Sequence, residues 1–124
     1  MIEELFMSDA TSIPPQLQEQ LLRLQQLQQT LQVVVSQRQQ LELERSEVDR
    51  ALSELEKMGD DAIIYKSVGA LLVKSERKKV MDELRENREL IETRITVLAR
   101  QQNRAEERAK ELQQLIQEKI KMPS

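Results

Sequence analysis

DDAIIYKSVGALLVK, residues Asp60 to Lys74, is the stretch whose reading decides the fold. Its two runs of β-branched and apolar residues flank a Ser67-Val68-Gly69 turn and break the helical period, which is the pattern of a β-hairpin. A three-residue loop with Gly69 in the left-handed position pairs Lys66 with Ala70, Tyr65 with Leu71, Ile64 with Leu72 and Ile63 with Val73. Strand side chains alternate, so one face then carries Ile63, Tyr65, Leu71 and Val73, and the other Ala62, Ile64, Ala70 and Leu72. Lys66 and Lys74 sit at the margins. Both faces are apolar, and two strands alone can neither bury both nor satisfy their outer edges. Ile63, Ile64, Tyr65, Leu71, Leu72 and Val73 are therefore the expected subunit-assembly residues, completed by strands of other chains in an intersubunit β-barrel or sheet. The competing reading folds the hairpin onto the helix ends of its own chain and leaves one apolar face wet.

Outward from this stretch, both flanks read as long helices. From Gln16 to Met58 there is no Gly or Pro, and a heptad frame places Leu17, Leu24, Leu31, Arg38, Arg45 and Leu52 at one core position and Gln20, Leu27, Val34, Leu41, Val48 and Leu55 at the other. On the C-terminal side the two positions take Met81, Arg88, Ile95, Gln102, Ala109 and Ile116, and Leu84, Ile91, Leu98, Ala105, Leu112 and Lys119. Nine of twelve are apolar in each frame, the sustained repeat of a coiled coil. Gly59 is a plausible stop for the first helix, and Ser75 a candidate N-cap for the second. The fold class expected is mostly α: an antiparallel two-helix coiled-coil hairpin, helices at 14–58 and 75–121, with a β-hairpin at 61–74 in the bend. The hairpin pairs all sum to 136, and so do Leu55 with Met81, Leu52 with Leu84, Leu41 with Ile95 and Leu24 with Leu112. A shift of seven would fit the helices as well.

Composition agrees. One Phe, one Tyr and no Trp leave little to fill a globular core, while charged residues make up 33% of the chain; aromatic side chains normally supply much of a compact core. A formal charge of −3 gives no reason to seek phosphate backbones or acidic membranes. The basic cluster Lys74, Arg77, Lys78 and Lys79 is faced by Glu76, Asp82 and Glu83 and reads as a solvated first turn. Without Cys or His there is no thiolate site and no histidine base. No Gly-rich phosphate loop is present, and a two-helix rod encloses no pocket to shift a carboxylate, so no enzyme, cofactor or metal is expected. No run approaches the roughly 20 apolar residues that span a bilayer, and the N-terminus lacks the basic start of a signal peptide. The location expected is cytoplasmic, with no membrane or nucleic-acid partner.

Residues 1–13 stand apart and end in Ser-Ile-Pro-Pro, which cannot lie inside a helix. They read as a flexible N-terminal arm, a frayed terminus in the first place, with a small sticky turn at Leu5, Phe6 and Met7 as the alternative. Arg38, Arg45, Arg88 and Gln102 at core positions read as register devices, since a polar core residue selects alignment at some cost in stability.

DDAIIYKSVGALLVK, preceded by ALSELEKM and followed by SERKKVMDEL, resembles the beta-subunit family of archaeal prefoldin. The similarity covers roughly Ile13 to the C-terminus (residues 14–124 as a beta-type domain), and YKSVGALLV at Tyr65–Val73 is its most specific piece. A single β-hairpin looks like the beta type. The resemblance implies a hexamer of two alpha-type and four beta-type subunits (α2β4), with coiled coils projecting from a β-barrel body. It implies an ATP-independent chaperone that grips unfolded client polypeptides near the coiled-coil tips and passes them to a group II chaperonin. Leu21, Leu22, Leu115, Ile120 and Met122 fall outside the two core positions near one end of the helices. With the neighbouring core residues Leu17, Leu24, Leu112 and Ile116 they are the candidate client-binding tip. The arm is longer than the family leads one to expect. Two other classes stay open: a structural coiled-coil spacer without client binding, which needs no two-sided apolar hairpin, and a nucleic-acid-binding arm, which needs basic helices.

Overall fold

A computed structural model describes residues 13–121, in which four elements follow one another: α1 (Pro15–Glu56), β1 (Ile64–Val68), β2 (Leu71–Ser75) and α2 (Arg77–Lys121). Apart from Ile13 the expected arm, and with it Met122, lies outside the described residues. At the start of α1 the Gln18 N–H donates to the Pro14 carbonyl at 3.0 Å. Pro15 thus occupies the first helical position, where its missing amide costs nothing.

At its other end α1 closes with tighter bonds, Lys57 N–H to the Glu54 carbonyl at 3.3 Å and Met58 N–H to the Leu55 carbonyl at 3.2 Å. Gly59 does not act as a left-handed stop. Among the described residues only Gly69 has a positive φ, 59°, and the Gly59 carbonyl instead accepts from Ala62 N–H at 3.1 Å. Nor does Ser75 cap α2. It is the last residue of β2 and pairs with Ile64, while the Glu76 carbonyl receives the first helical bond, from Val80 N–H at 3.1 Å.

The described residues form two compact units, one of residues 13–36 and 99–121 and one containing the hairpin (residues 37–98). In the terminal unit Leu17, Leu21 and Leu24 of α1 form a core with Ala109, Leu112 and Ile116 of α2, and Ile13, Leu27 and Leu31 pack against it. The heptad frame puts Gln20 where the structure buries Leu21 to 0% exposure. The core spacing therefore runs 17, 21, 24, 27, 31 rather than strictly alternating. A helical repeat of about 3.6 drifts against a 3.5-residue seam, so positions 20 and 21 both lie near it, and the apolar one goes in. The choice is not free of cost, because Gln20 Oε1 is buried without a partner among the described residues.

The hairpin unit has its own core of Val48, Leu52 and Leu55 from α1, Met81 and Ile91 from α2, and Ile64 from β1. Here the helices are antiparallel, since bonds from Arg45 to Glu92, Arg88 to Asp49 and Arg77 to Leu55 climb α1 as they descend α2.

The strands pair antiparallel with Ile64 opposite Ser75, Tyr65 opposite Lys74, Lys66 opposite Val73, Ser67 opposite Leu72 and Val68 opposite Leu71. Each pair sums to 139, three more than expected. The turn is thus Gly69-Ala70, two residues with the positive φ at the first, the pattern of a type II′ hairpin that twists with its strands. Val68 stays in β1, as its β-branched side chain favours. An odd shift transfers every β2 side chain to the opposite face relative to β1. Leu71 and Val73 consequently share a face with Ile64, Lys66 and Val68, whereas Tyr65 shares its face with Leu72.

Candidate assembly and client surfaces

Two contacts join the hairpin to the helices, and a third ties α2 to the end of α1 beside its base. Ile64 is buried in the hairpin-unit core. On the same face Lys66 Nζ donates to Glu83 Oε2 of α2 at 2.6 Å. That hydrogen bond, helped by the charges of Lys66 and Lys79, outweighs partial desolvation and holds the Glu83 carboxyl below its ordinary pKa. Arg77, the first residue of α2, donates from Nε to the Leu55 carbonyl at 2.6 Å and from Nη1 to Asp60 at 3.0 Å. Its guanidinium thereby caps the open C-terminal end of α1, where unpaired carbonyls concentrate negative charge. The solvated first turn expected for Lys74, Arg77, Lys78 and Lys79 does not describe Arg77.

Beyond that anchored base the hairpin is wet on both sides. Leu71 is 69% exposed and Val68 and Val73 about half, on the face of Ile64, while Leu72 is 72% and Tyr65 61% exposed on the other, with Ile63 just before β1. Of the six expected assembly residues only Ile64 is buried within its own chain. An open cleft lies at the hairpin's base, lined by Asp60, Ile63, Lys74, Arg77 and Lys78; its mixture of signs selects no one charge.

Among the polar core residues of the hairpin unit, Arg45 bonds to Glu92 at 3.1 Å, and Arg88 bonds to Asp49 and approaches Glu92 at 3.7 Å. The result is an interhelical network of two arginines and two carboxylates. The Arg88 hydrogen bond, with the charges of Arg88 and Arg45, depresses the Asp49 pKa, and Asp49 in turn raises that of Arg88. These pairs form in one alignment of the helices and are lost in a shifted one. Arg38, by contrast, pairs with Glu42 of its own helix, and Gln102 donates to Glu106 of its own.

In the terminal unit the expected tip residues fall into two sets. Leu17, Leu21, Leu24, Leu112 and Ile116 are buried, so Leu21, expected among the surplus apolars, is core. Leu22 at 52%, Leu115 at 41% and Ile120 at 47% are exposed. Exposure alone does not mark a site, for Val33, Leu43, Leu90 and Val97 are also exposed. Leu22, Leu115 and Ile120 differ in lying on the two helix segments that enclose one core.

Arg77, Glu83, Asp49 and Glu92 are the contributors that sequence reasoning missed. Opposite charge near Lys66, Arg45 and Arg88 was the available signal, but choosing among the many carboxylates requires the register.

Residues 18–122 match Prefoldin_2, the family described as prefoldin subunit. The chain belongs to the prefoldin subunit family. It is similar to the prefoldin subunit beta of Pyrococcus furiosus, 43% identical over 113 residues that cover 91% of this chain and 97% of the relative. The subunit beta of Thermococcus gammatolerans is 46% identical over 112 residues, covering 90% and 96%. Among solved structures, the prefoldin beta subunit from Thermococcus strain KS-1 superposes with a TM-score of 0.83 at 44% identity, covering 90% of this chain and 98% of that one. The beta2 subunit of the same strain, at 23% identity and a TM-score of 0.66, shares the fold. The prefoldin match begins at residue 18, beyond the N-terminal arm. Among the described residues no helix is long and apolar enough to cross a membrane.

Proposed function

We propose that this chain is the beta-type subunit of a cytoplasmic prefoldin chaperone that holds unfolded polypeptides without ATP and delivers them to a group II chaperonin. The observation that carries the assembly half is the hairpin: two strands expose Leu71 and Val73 on one face and Tyr65 and Leu72 on the other. Such a sheet is stable only when neighbours supply further strands. Alpha-type and further beta-type chains, in an α2β4 hexamer with a shared β-barrel, provide them. In the terminal unit Leu22, Leu115 and Ile120 are the surface that unfolded clients touch, and Leu17, Leu21, Leu24, Leu112 and Ile116 form the apolar floor beneath. Clusters of exposed apolar side chains are what an unfolded chain, rich in uncovered apolar residues, recognises. Nothing in this reading calls for a nucleotide, a metal or a catalytic group.

Two measurements test the reading. Replacing Leu72 by Asp, an exposed position whose change leaves the chain's own core intact, releases free subunits from a complex formed with an alpha-type partner, as read by mass on a sizing column. An unchanged complex mass refutes the assembly site. In light scattering of a denatured enzyme, the assembled protein suppresses aggregation equally with and without ATP. The triple change Leu22→Ser, Leu115→Ser, Ile120→Ser abolishes suppression while complex mass is kept. If the unmodified complex suppresses nothing, the chain is a structural spacer instead.

A further inference from the structure

We infer that Lys66 and Glu83 form an angle lock, a pair of positioning residues that sets the direction in which the hairpin leaves α2 and so prepares it to join the strands of another subunit. The inference rests on the assembly reading of the hairpin and adds what aims it.

The hairpin's attachment is narrow. β2 runs into α2 with Glu76 alone between them, and Ile64, opposite Ser75 at the base, is the one strand residue buried in the helical core. A single seat and a covalent joint fix where the hairpin starts but leave its tilt open. Lys66 supplies the second point. Two residues along β1 it lies on the face of Ile64, roughly 6.6 Å further out, and its Nζ donates to Glu83 Oε2 of α2 at 2.6 Å. Among the described residues no other side-chain hydrogen bond or ion pair joins a strand to a helix.

Glu83 has a cation nearer in sequence, since Lys79 stands four residues earlier on α2, the spacing of an ordinary helix pair. Its hydrogen bond nevertheless goes to the strand. Both side chains of the pair are partly exposed, and a solvated ion pair adds little to the stability of a fold. For choosing between tilts it suffices, because only the difference between orientations counts. Lys66 is also the only charged residue on the face of Ile64, Val68, Leu71 and Val73. Bound to Glu83, its ammonium is drawn toward α2, which leaves Val68, Leu71 and Val73 as what a neighbour meets on that face. A segment already held in its joining orientation associates more tightly, because less ordering remains to be done.

The experiment uses the full chain, whose lack of Cys lets Ala70→Cys and Asn87→Cys carry two spin labels, one in the turn and one on α2 a helical turn beyond Glu83. Pulsed electron double resonance on the free chain, diluted in unlabelled chain, reads the spread of distances between them. A narrow distribution is expected, which broadens in Lys66→Glu and in Glu83→Lys and narrows again when the two are combined. In parallel the unlabelled forms are titrated with an alpha-type subunit and complex mass is followed. Each single change weakens association roughly fivefold if a freed hairpin keeps the joining tilt one-fifth of the time, and the exchanged pair restores it. Helical circular dichroism is kept in all these forms; where a reversed charge unfolds the hairpin unit, the milder Glu83→Gln repeats both measurements. Equal widths with and without the pair overturn the inference. So does a weakening by Lys66→Glu that Glu83→Lys does not match and the exchange does not repair, since Lys66 then touches the partner itself. Broader distances with unchanged association overturn it as well. If the unmodified chain joins no alpha-type subunit, the assembly reading fails instead, and the distance distribution still decides whether the pair sets the tilt.

Discussion

The terminal unit and the hairpin unit use the same two helices but hold them by different means. In the hairpin unit directional bonds cross between elements: Arg45 to Glu92, Arg88 to Asp49, Arg77 to Leu55 and Asp60, and Lys66 to Glu83. In the terminal unit the ion pairs Arg23–Glu19 and Arg108–Glu111 stay within one helix, and what joins α1 to α2 is the apolar core. Apolar packing is strong but non-directional, whereas a guanidinium fork on a carboxylate fixes geometry. The hairpin unit is thus suited to presenting strand edges at a defined angle, and the terminal unit to adjusting around an irregular occupant.

The largest expected effect tests the packing half of that contrast. Leu21→Ala or Leu112→Ala removes a fully buried side chain and costs about 2–5 kcal/mol. Leu22→Ala, next to Leu21 in sequence, falls within about 0.5 kcal/mol because its side chain is half exposed. Thermal melts followed by helical circular dichroism at fixed protein concentration separate the two. Equal losses at Leu21 and Leu22 would erase the distinction between floor and surface.

That adjacent pair also shows what could be read from sequence. The heptad repeat located both helices and most of their core, because a seam of Leu, Val and Ile over six repeats outweighs local ambiguity. It failed at Leu21, where strict spacing selects Gln20 and only three-dimensional drift of the seam brings Leu21 inside. The hairpin was legible from Ile63 to Val73 as an apolar break in helical period. Its register was not: Ser67-Val68-Gly69 and Gly69-Ala70 are both sound turns around the same glycine, and the choice rests on Val68 keeping an extended backbone. Three residues of slip then exchanged the partners of Tyr65. For the candidate surfaces, composition named a set of apolar residues, and exposure split that set, since only a folded core tells Leu22 from Leu21.

Removing Arg77 tests the directional half. Arg77→Ala takes the charged donor from the Leu55 carbonyl, which keeps only the Met58 N–H, and from Asp60, at a cost of about 1–3 kcal/mol for a hydrogen bond to a charged group. Arg77→Lys, which lacks the planar fork, falls between. The same melts read this, and hydrogen exchange at the Ala62 and Ile64 amides should quicken while amides of the terminal unit do not. An equal response in both units would mean that Arg77 is not a local clamp.

A smaller change is expected at the turn. Gly69 has φ of 59° and an added Cβ would meet nothing within 4 Å, so Gly69→Ala pays only the left-handed backbone cost, about 1 kcal/mol. Gly69→Asn, which tolerates that region better, costs less. If Gly69→Ala stabilises the protein, Gly69 does not hold a positive φ and neither turn around it stands.

Acid supplies the gentlest probe, and it acts on the hairpin unit alone. The carboxyls of Asp49 and Glu83 titrate below their ordinary values, chiefly through hydrogen bonds from Arg88 and Lys66. A depressed folded pKa means that the unfolded chain binds the proton first. The contribution to stability is therefore complete above the unfolded value near 4 and fades as pH falls through the lower folded value. These groups are solvent-accessible, so added salt weakens the effect. Melting temperature should decline from pH 5 to pH 3, and Asp49→Asn combined with Glu83→Gln should flatten that decline. Because no such pair joins the helices of the terminal unit among the described residues, amides around Leu24 and Leu112 should keep their protection over the same range. If acid instead loosens both units together, their cores share one cooperative transition, and the division of labour between directional and apolar contacts is one of geometry and not of stability.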